Sequence, residues 1–82
     1  MPTVDVIDGL RVVIYLNDHR PAHVHVIGDG CAAVFKLNCP GAPPELRENY
    51  GFAAGRLSRI KSALTSRITS LCAEWSKRHG QT

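Results

Sequence analysis

The sequence predicts a small α+β domain: a three- to four-stranded antiparallel sheet, wound as a hairpin meander, with one face covered by a long C-terminal helix or helix pair. Three observations predict it. Apolar and polar residues alternate through the first half with the period of two that sends successive strand side chains to opposite faces. An Asp29-Gly30 pair interrupts that alternation, and Asp-Gly suits the positive backbone angles of a two-residue hairpin turn. The last third switches to apolar residues three and four apart, the spacing of one helix face. One domain spans 1–82, with strands over about 3–37, a loop at 38–52 and a helix over about 53–78.

The first strand runs from Thr3 to Ile7. Asp8-Gly9 suggests a two-residue turn, but that register carries Asp5 into the core. A three-residue turn through Leu10 buries Val4 and Val6 and frees Asp5, and is preferred. Leu10 to Leu16 follows, with Leu10, Val12, Ile14 and Leu16 on one face and Arg11, Val13 and Tyr15 on the other. After a polar loop, Asn17 to Pro21, come strands from Ala22 to Ile27 and from Cys31 to Leu37. A turn at Asp29-Gly30 sets Gly28 against Cys31, Val26 against Ala33 and Val24 against Phe35, apolar on apolar. The opposite face then pairs His25 with Val34 and His23 with Lys36. Closing the preceding loop with Leu16 facing Ala22 puts Tyr15 opposite His23 and Val13 opposite His25. Both hairpins choose the same core face, and a slip of one residue would invert every side chain.

Prolines and a glycine make Asn38 to Pro44 a loop; Glu45 to Asn49 either adds a short edge strand or leads into the helix. From about Ala53 to Arg78, Leu57, Ile60, Leu64, Ile68, Leu71 and Trp75 form one apolar stripe. A continuous helix of that span would be ~39 Å long at 1.5 Å per residue. That is long for so small a sheet, so a break near Thr65-Ser66 stands as the alternative. The stripe is expected to cover the Leu10, Val24 and Phe35 face, with Trp75 as a core anchor. The other face is then left bare, carrying Tyr15, His23, His25, Arg11 and Lys36 among Val13, Ile27 and Val34. A half-apolar surface of this kind usually meets a ligand, a partner or a second copy.

A chain of 82 residues holds one core and buries only about 60–65% of the surface it exposes when unfolded. Its three cysteines, Cys31, Cys39 and Cys72, are an odd number without framework spacing. They read as small buried hydrophobes with reduced thiols. No basic-then-apolar leader opens the sequence, and no apolar run approaches the ~20 residues of a membrane span. A cytoplasmic protein without membrane contact is expected. The net charge of +3 is unevenly placed. From Ala53 onward Arg56, Arg59, Lys61, Arg67, Lys77 and Arg78 face Glu74 alone, whereas acidic residues outnumber basic ones before it. Such a basic third either meets nucleic acid or an acidic partner, or is a solvated helix face.

The chemistry-bearing stretch is Asn17 to Val26, which holds His19, His23 and His25. His23 and His25 flank Val24, so a strand sends both imidazoles to one side. Three readings compete. In the first, metal-independent phosphodiester cleavage, His23 and His25 exchange roles as general base and acid, and Tyr15 orients or donates. Lys36 or Arg11 then stabilises charge on the phosphate. In the second, His19, His23 and His25 hold a zinc ion with water in the fourth position, and Asp18 orients a ligand. In the third the histidines order the Asn17–Pro21 loop and pack at an interface. The first reading favours no cofactor; zinc belongs to the second. His79 reads as a cation at a helix C-terminus.

Several of these residues also carry a resemblance. The opening Met1-Pro2-Thr3-Val4, the Asn17-Asp18-His19…Pro21…His23-Val24-His25-Val26 block, Phe35-Lys36-Leu37, Gly51-Phe52 and the late Trp75 resemble a family of small bacterial proteins catalogued as domain of unknown function 4160. The histidine block is the specific part. The resemblance implies one half of a toxin–antitoxin-like gene pair with another small protein, acting on RNA or translation or neutralising what does. The chain departs from the family pattern at Ala22, where relatives tend to have Pro. It departs again at Ala53 and Arg56, where they often have the Ser and Glu of a capping box. A frayed helix start is expected.

The combined expectation is a toxin–antitoxin-like component acting on RNA through a surface histidine pair, with ribonuclease-type activity left open. His23, His25, Tyr15 and Lys36 are its candidate catalytic residues. Arg11, Arg20, Arg56, Arg59, Lys61 and Arg67 are its candidate nucleic-acid contacts. The alternative is a non-enzymatic module whose exposed sheet face docks the cognate small protein or a second copy as a homodimer.

Overall fold

The computed structural model describes residues 3–15, 17–39 and 41–79. Along the chain run β1 Thr3–Ile7, β2 Leu10–Val13, β3 His23–Gly28, β4 Cys31–Asn38, β5 Ala42–Tyr50, α1 Ala54–Ser66 and α2 Ile68–His79. The strands form one antiparallel sheet in chain order. The α+β class stands, with five strands in place of three or four.

The centre of the sheet follows the alternation of the sequence. β3 and β4 pair His23 with Lys36, Val24 with Phe35, His25 with Val34, Val26 with Ala33 and Gly28 with Cys31. Asp29 and Gly30 have φ of 53° and 74°, the positive values their tight turn requires. β2 sets Val13 against His25. The expected pairing of Leu16 with Ala22 falls at a position outside the described residues, as do Pro40 and the opening Met1-Pro2. Val12, Val24, Val26 and Phe35 are at most 1% exposed and share the core with Ile60, Leu64, Leu71 and Trp75. Each such side chain contributes about 1.5–3 kcal/mol by leaving water, so this face dominates stability.

The first turn corrects the expectation. Ile7 pairs directly with Leu10 across a two-residue Asp8-Gly9 turn, in which φ is 49° and 78°. The ladder shifts between Thr3 and Asp5, and that irregularity lets Val4 pack on the core. Ile7 is buried while Val6 is 55% exposed. Asp5 does turn toward the helical side, where Arg67 Nε meets its carboxylate at 3.0 Å. A cation from another element removes the objection to that register.

β5 is the second correction. Pro43 and Pro44 mark a loop by composition, yet they lie in a nine-residue strand. Proline lacks the N–H for an interior ladder but is tolerated on an edge strand, and β5 forms one edge of the sheet. Its pairing with β4 is irregular at two places, and Pro44 is buried.

The helix pair, rather than one long helix, covers the core face. Thr65 Oγ1 donates to Lys61 O, Ser66 Oγ to Ala63 O, and Arg67 Nη1 also to Ala63 O. These side chains take carbonyls near the end of α1, and Arg67 leaves the helical path with φ −113° and ψ 11°. At the start of α1, Ala53 offers no side-chain cap and the first turn carries no acid. Arg56 is nonetheless held, with Nη2 2.7 Å from Asp29 Oδ2 and its guanidinium over the Phe52 ring.

Cys39 and Cys72 form a disulfide, with Cα atoms 5.8 Å apart, where the sequence predicts reduced thiols. Cys31 keeps a free thiol. Partners 33 residues apart, just after β4 and on α2, give no local signal. By chain entropy, closing a loop of that length contributes about 3–4 kcal/mol.

Candidate functional site

The site grows from the turn that ends the second strand. Asp18 N–H donates to Tyr15 O at 3.1 Å, and Tyr15 N–H donates back to Asp18 Oδ2 at 3.0 Å. These reciprocal bonds fix the carboxylate. The chain then returns through a cis Arg20–Pro21 peptide, and Pro21 O lies 2.9 Å from His23 Nδ1. A carbonyl only accepts, so Nδ1 carries the proton and Nε2 of neutral His23 carries a lone pair.

That lone pair faces Asp18. His23 Nε2 lies 3.5 Å from Asp18 Oδ1, and His25 Nε2 lies 3.4 Å from Oδ1 and 3.3 Å from Oδ2. The imidazole centroids are 5.2 Å apart, as expected for two side chains on one strand face. Tyr15 meets His25 edge-on at 4.9 Å. The side chains of His23, His25 and Asp18 are 19%, 24% and 12% exposed, partly desolvated yet reachable. One ligand atom from each can be chosen so that all lie within 4.8 Å of one another.

His19 is not part of this cluster. It is exposed and lines a neighbouring open groove of about 200 Å³ with Arg20, His23, Arg47 and Glu48. Arg20 also borders a second groove, of about 320 Å³, with Lys36. Among the candidate catalytic residues, His25 therefore contacts both Tyr15 and His23, and Lys36 stands beside His23 in the register. The imidazoles do not present free nitrogens side by side, because both Nε2 atoms converge on one carboxylate.

The candidate nucleic-acid contacts divide. Arg20 borders both grooves, and Arg11 is exposed on β2, in register with Ile27 on the histidine side. Arg56 and Arg67 are held by Asp29 and Asp5. Arg59 and Lys61 are exposed on α1, whose Ile60 and Leu64 enter the core on the other face. Histidines and basic helix thus belong to opposite layers.

The expectation that both imidazoles lie clear of the terminal helix fails for His23. Its centroid is 5.3 Å from that of Trp75, which stacks on His79 at 4.0 Å and 14°. β2 ends opposite His25, so it has no paired residue beside His23, and Trp75 reaches the ring there. His79 is correspondingly a stacking partner rather than a simple terminal cation. Nor is the histidine side bare, since Val13 is 1% exposed. At the outer strand, Tyr50 Oη donates to Glu48 Oε1 at 2.5 Å. That bond, then the carboxylate's charge, pushes the phenol's pKa above its ordinary value.

A family model matches residues 9–76 and contains the whole histidine block. The chain belongs to the family described as domain of unknown function DUF4160. No curated protein and no solved structure matches it. No helix of the described residues is long and apolar enough to cross a membrane.

Within this DUF4160 chain, sequence reasoning assigned Asp18 only an orienting role and missed Arg47 and the Trp75 contact. For Asp18 a signal existed: the short polar segment to His23 must fold back to enter β3. Arg47 was hidden by the proline-based loop reading, and Trp75 by its place in a core stripe.

Proposed function

We propose that this protein is the RNA-directed component of a toxin–antitoxin-like bacterial gene pair, working through the Asp18–His23–His25 cluster and the groove beside it. The observation that carries the reading is the junction of a chemical centre with cationic side chains. His23 belongs to both the cluster and the groove, whose rim holds Arg20, Arg47 and His19. Guanidinium groups bind phosphate oxygens in a bidentate fork, and their contribution to nucleic-acid affinity falls with salt. The surface is not uniformly basic, because Glu48 shares the groove, so the reading calls for a local phosphate contact rather than a broad electrostatic footprint. The imidazoles act as one unit with Asp18 instead of as an exchanging acid–base pair. The Cys39–Cys72 disulfide weighs against the reducing cytoplasm that the sequence suggests.

Single-stranded RNA titrated at several salt concentrations tests this reading. Affinity is expected to fall as salt rises, with Arg20→Ala and Arg47→Ala each reducing the logarithmic slope by roughly one. Growth arrest on expression, relieved by His25→Ala, would add a catalytic role. Absence of salt-dependent RNA binding overturns the proposal. A non-enzymatic partner-docking module then becomes the better reading. It is supported by Leu46 and Tyr50, 42% and 60% exposed on edge strand β5, where a cognate strand or second copy adds to the sheet.

A further inference from the structure

The geometry points to a divalent transition-metal site formed by Asp18 Oδ1, His23 Nε2 and His25 Nε2. This ligand set differs from the His19, His23 and His25 trio that the sequence suggests.

Backbone groups already engage one atom each of Asp18 and His23. Tyr15 N–H occupies Asp18 Oδ2 at 3.0 Å, leaving Oδ1 available. Pro21 O fixes the His23 proton on Nδ1, leaving Nε2 as the lone-pair nitrogen. Two acceptors therefore face each other at 3.5 Å, an arrangement that repels unless a cation joins them. Charge-assisted hydrogen bonds run about 2.7–2.9 Å, so the separations here are too long for good ones. They suit a shared ion. A tetrahedral zinc with ligands at about 2.0–2.1 Å sets those ligand atoms about 3.3–3.4 Å apart. Asp18 Oδ1 lies 3.5 Å from His23 Nε2 and 3.4 Å from His25 Nε2.

The surroundings have the same character. Metal-bound histidines usually donate their other N–H to a carbonyl or carboxylate, and ligating carboxylates are themselves hydrogen-bonded. His23 and Asp18 satisfy those two conditions through Pro21 O and Tyr15 N. Two imidazoles and one carboxylate leave a fourth position for water or a substrate oxygen, the composition of hydrolytic zinc sites and of open ferrous sites. The Asp18 turn supplies one ligand and β3 supplies the other two. The competing occupant is a proton on His23 Nε2, which would also join the facing acceptors. This inference rests on side-chain geometry and not on the RNA reading, so either can fail alone.

The experiment uses untagged, chelator-stripped protein with the Cys39–Cys72 disulfide intact and Cys31→Ser to remove the free thiol. Zinc titrated by calorimetry is expected to bind one ion per chain. Cobalt(II) is expected to give a low-symmetry visible spectrum without a thiolate charge-transfer band. Asp18→Asn and His25→Ala are expected to weaken uptake at least tenfold, while His19→Ala and His79→Ala leave it unchanged. Asp18→Asn preserves an oxygen acceptor for Tyr15 N–H, and Trp75 fluorescence checks that each variant folds. Because variants can unfold, ring-nitrogen shifts of Cys31→Ser protein on zinc addition give a second readout, in which His23 and His25 Nε2 move and His19 does not. Absence of stoichiometric uptake overturns the site, as does uptake that survives Asp18→Asn and His25→Ala or moves His19 instead.

Discussion

The two faces of β3 come from one stretch of chain but obey different constraints. Val24 and Val26 point into a closed core and are held by area: any apolar neighbour of suitable volume serves, and the helices supply several. His23 and His25 point to the other side and are held by direction. Their positions depend on one carboxylate, one backbone carbonyl and the edge of Tyr15. Hydrophobic burial is non-directional, so the first face tolerates approximation. Hydrogen bonds and coordination weaken steeply with angle and distance, so the second does not.

The largest test of this contrast sets Phe35→Ala against Asp18→Asn. Phe35 is 1% exposed beneath the helices, and its truncation is expected to cost about 3–5 kcal/mol in chemical denaturation. Asp18→Asn is expected to cost no more than about 1.5 kcal/mol, the scale of a single net hydrogen bond. Equal losses would make the histidine face a second core and break the comparison.

A smaller effect belongs to the helical layer. Ala53→Ser provides the missing N-cap acceptor and is expected to stabilise by about 1 kcal/mol, or about 4–8 °C in melting temperature for a domain of this size. Arg56→Glu, attractive from the helix dipole alone, is expected to cancel that gain. It removes the ion pair with Asp29 and sets two carboxylates together. Thermal melts of the single and double variants check both statements. A further rise on adding Arg56→Glu would show that the dipole outweighs the tertiary pair.

The smallest effect sharpens the polar side. Tyr50 is held protonated to a higher pH by its hydrogen bond to Glu48 and by that carboxylate's charge. A raised pKa favours the protonated phenol in the folded chain. Any stability it lends is present below the ordinary phenol range and is lost as pH rises through the raised value. In a Tyr15→Phe background, ultraviolet titration is expected to show Tyr50 ionising at lower pH once Glu48→Gln is introduced. An unchanged titration would separate Tyr50 from Glu48.

These contrasts explain what could be read without coordinates. The β3–β4 register was legible because period and turn residues are local, whereas helical spacing alone left one long helix and a broken pair both open. The first turn was misread because the remedy for Asp5, Arg67, lies across the molecule. β5 was misread because prolines punctuate a chain until the fold makes their strand an edge. At the site, the common face of His23 and His25 was visible in their spacing. The choice of Asp18 over His19 was not, since it depends on the path of the loop.

The sequence by itself determined the α+β class, the core face and the pairing of the two imidazoles, because alternation and helical spacing act between near neighbours. Tertiary structure alone decided the disulfide, the Trp75 contact with His23 and the convergence of both Nε2 atoms on Asp18. Those features depend on distances between segments that the chain must fold to bring together, and directional contacts form only where those distances are met to within a few tenths of an ångström.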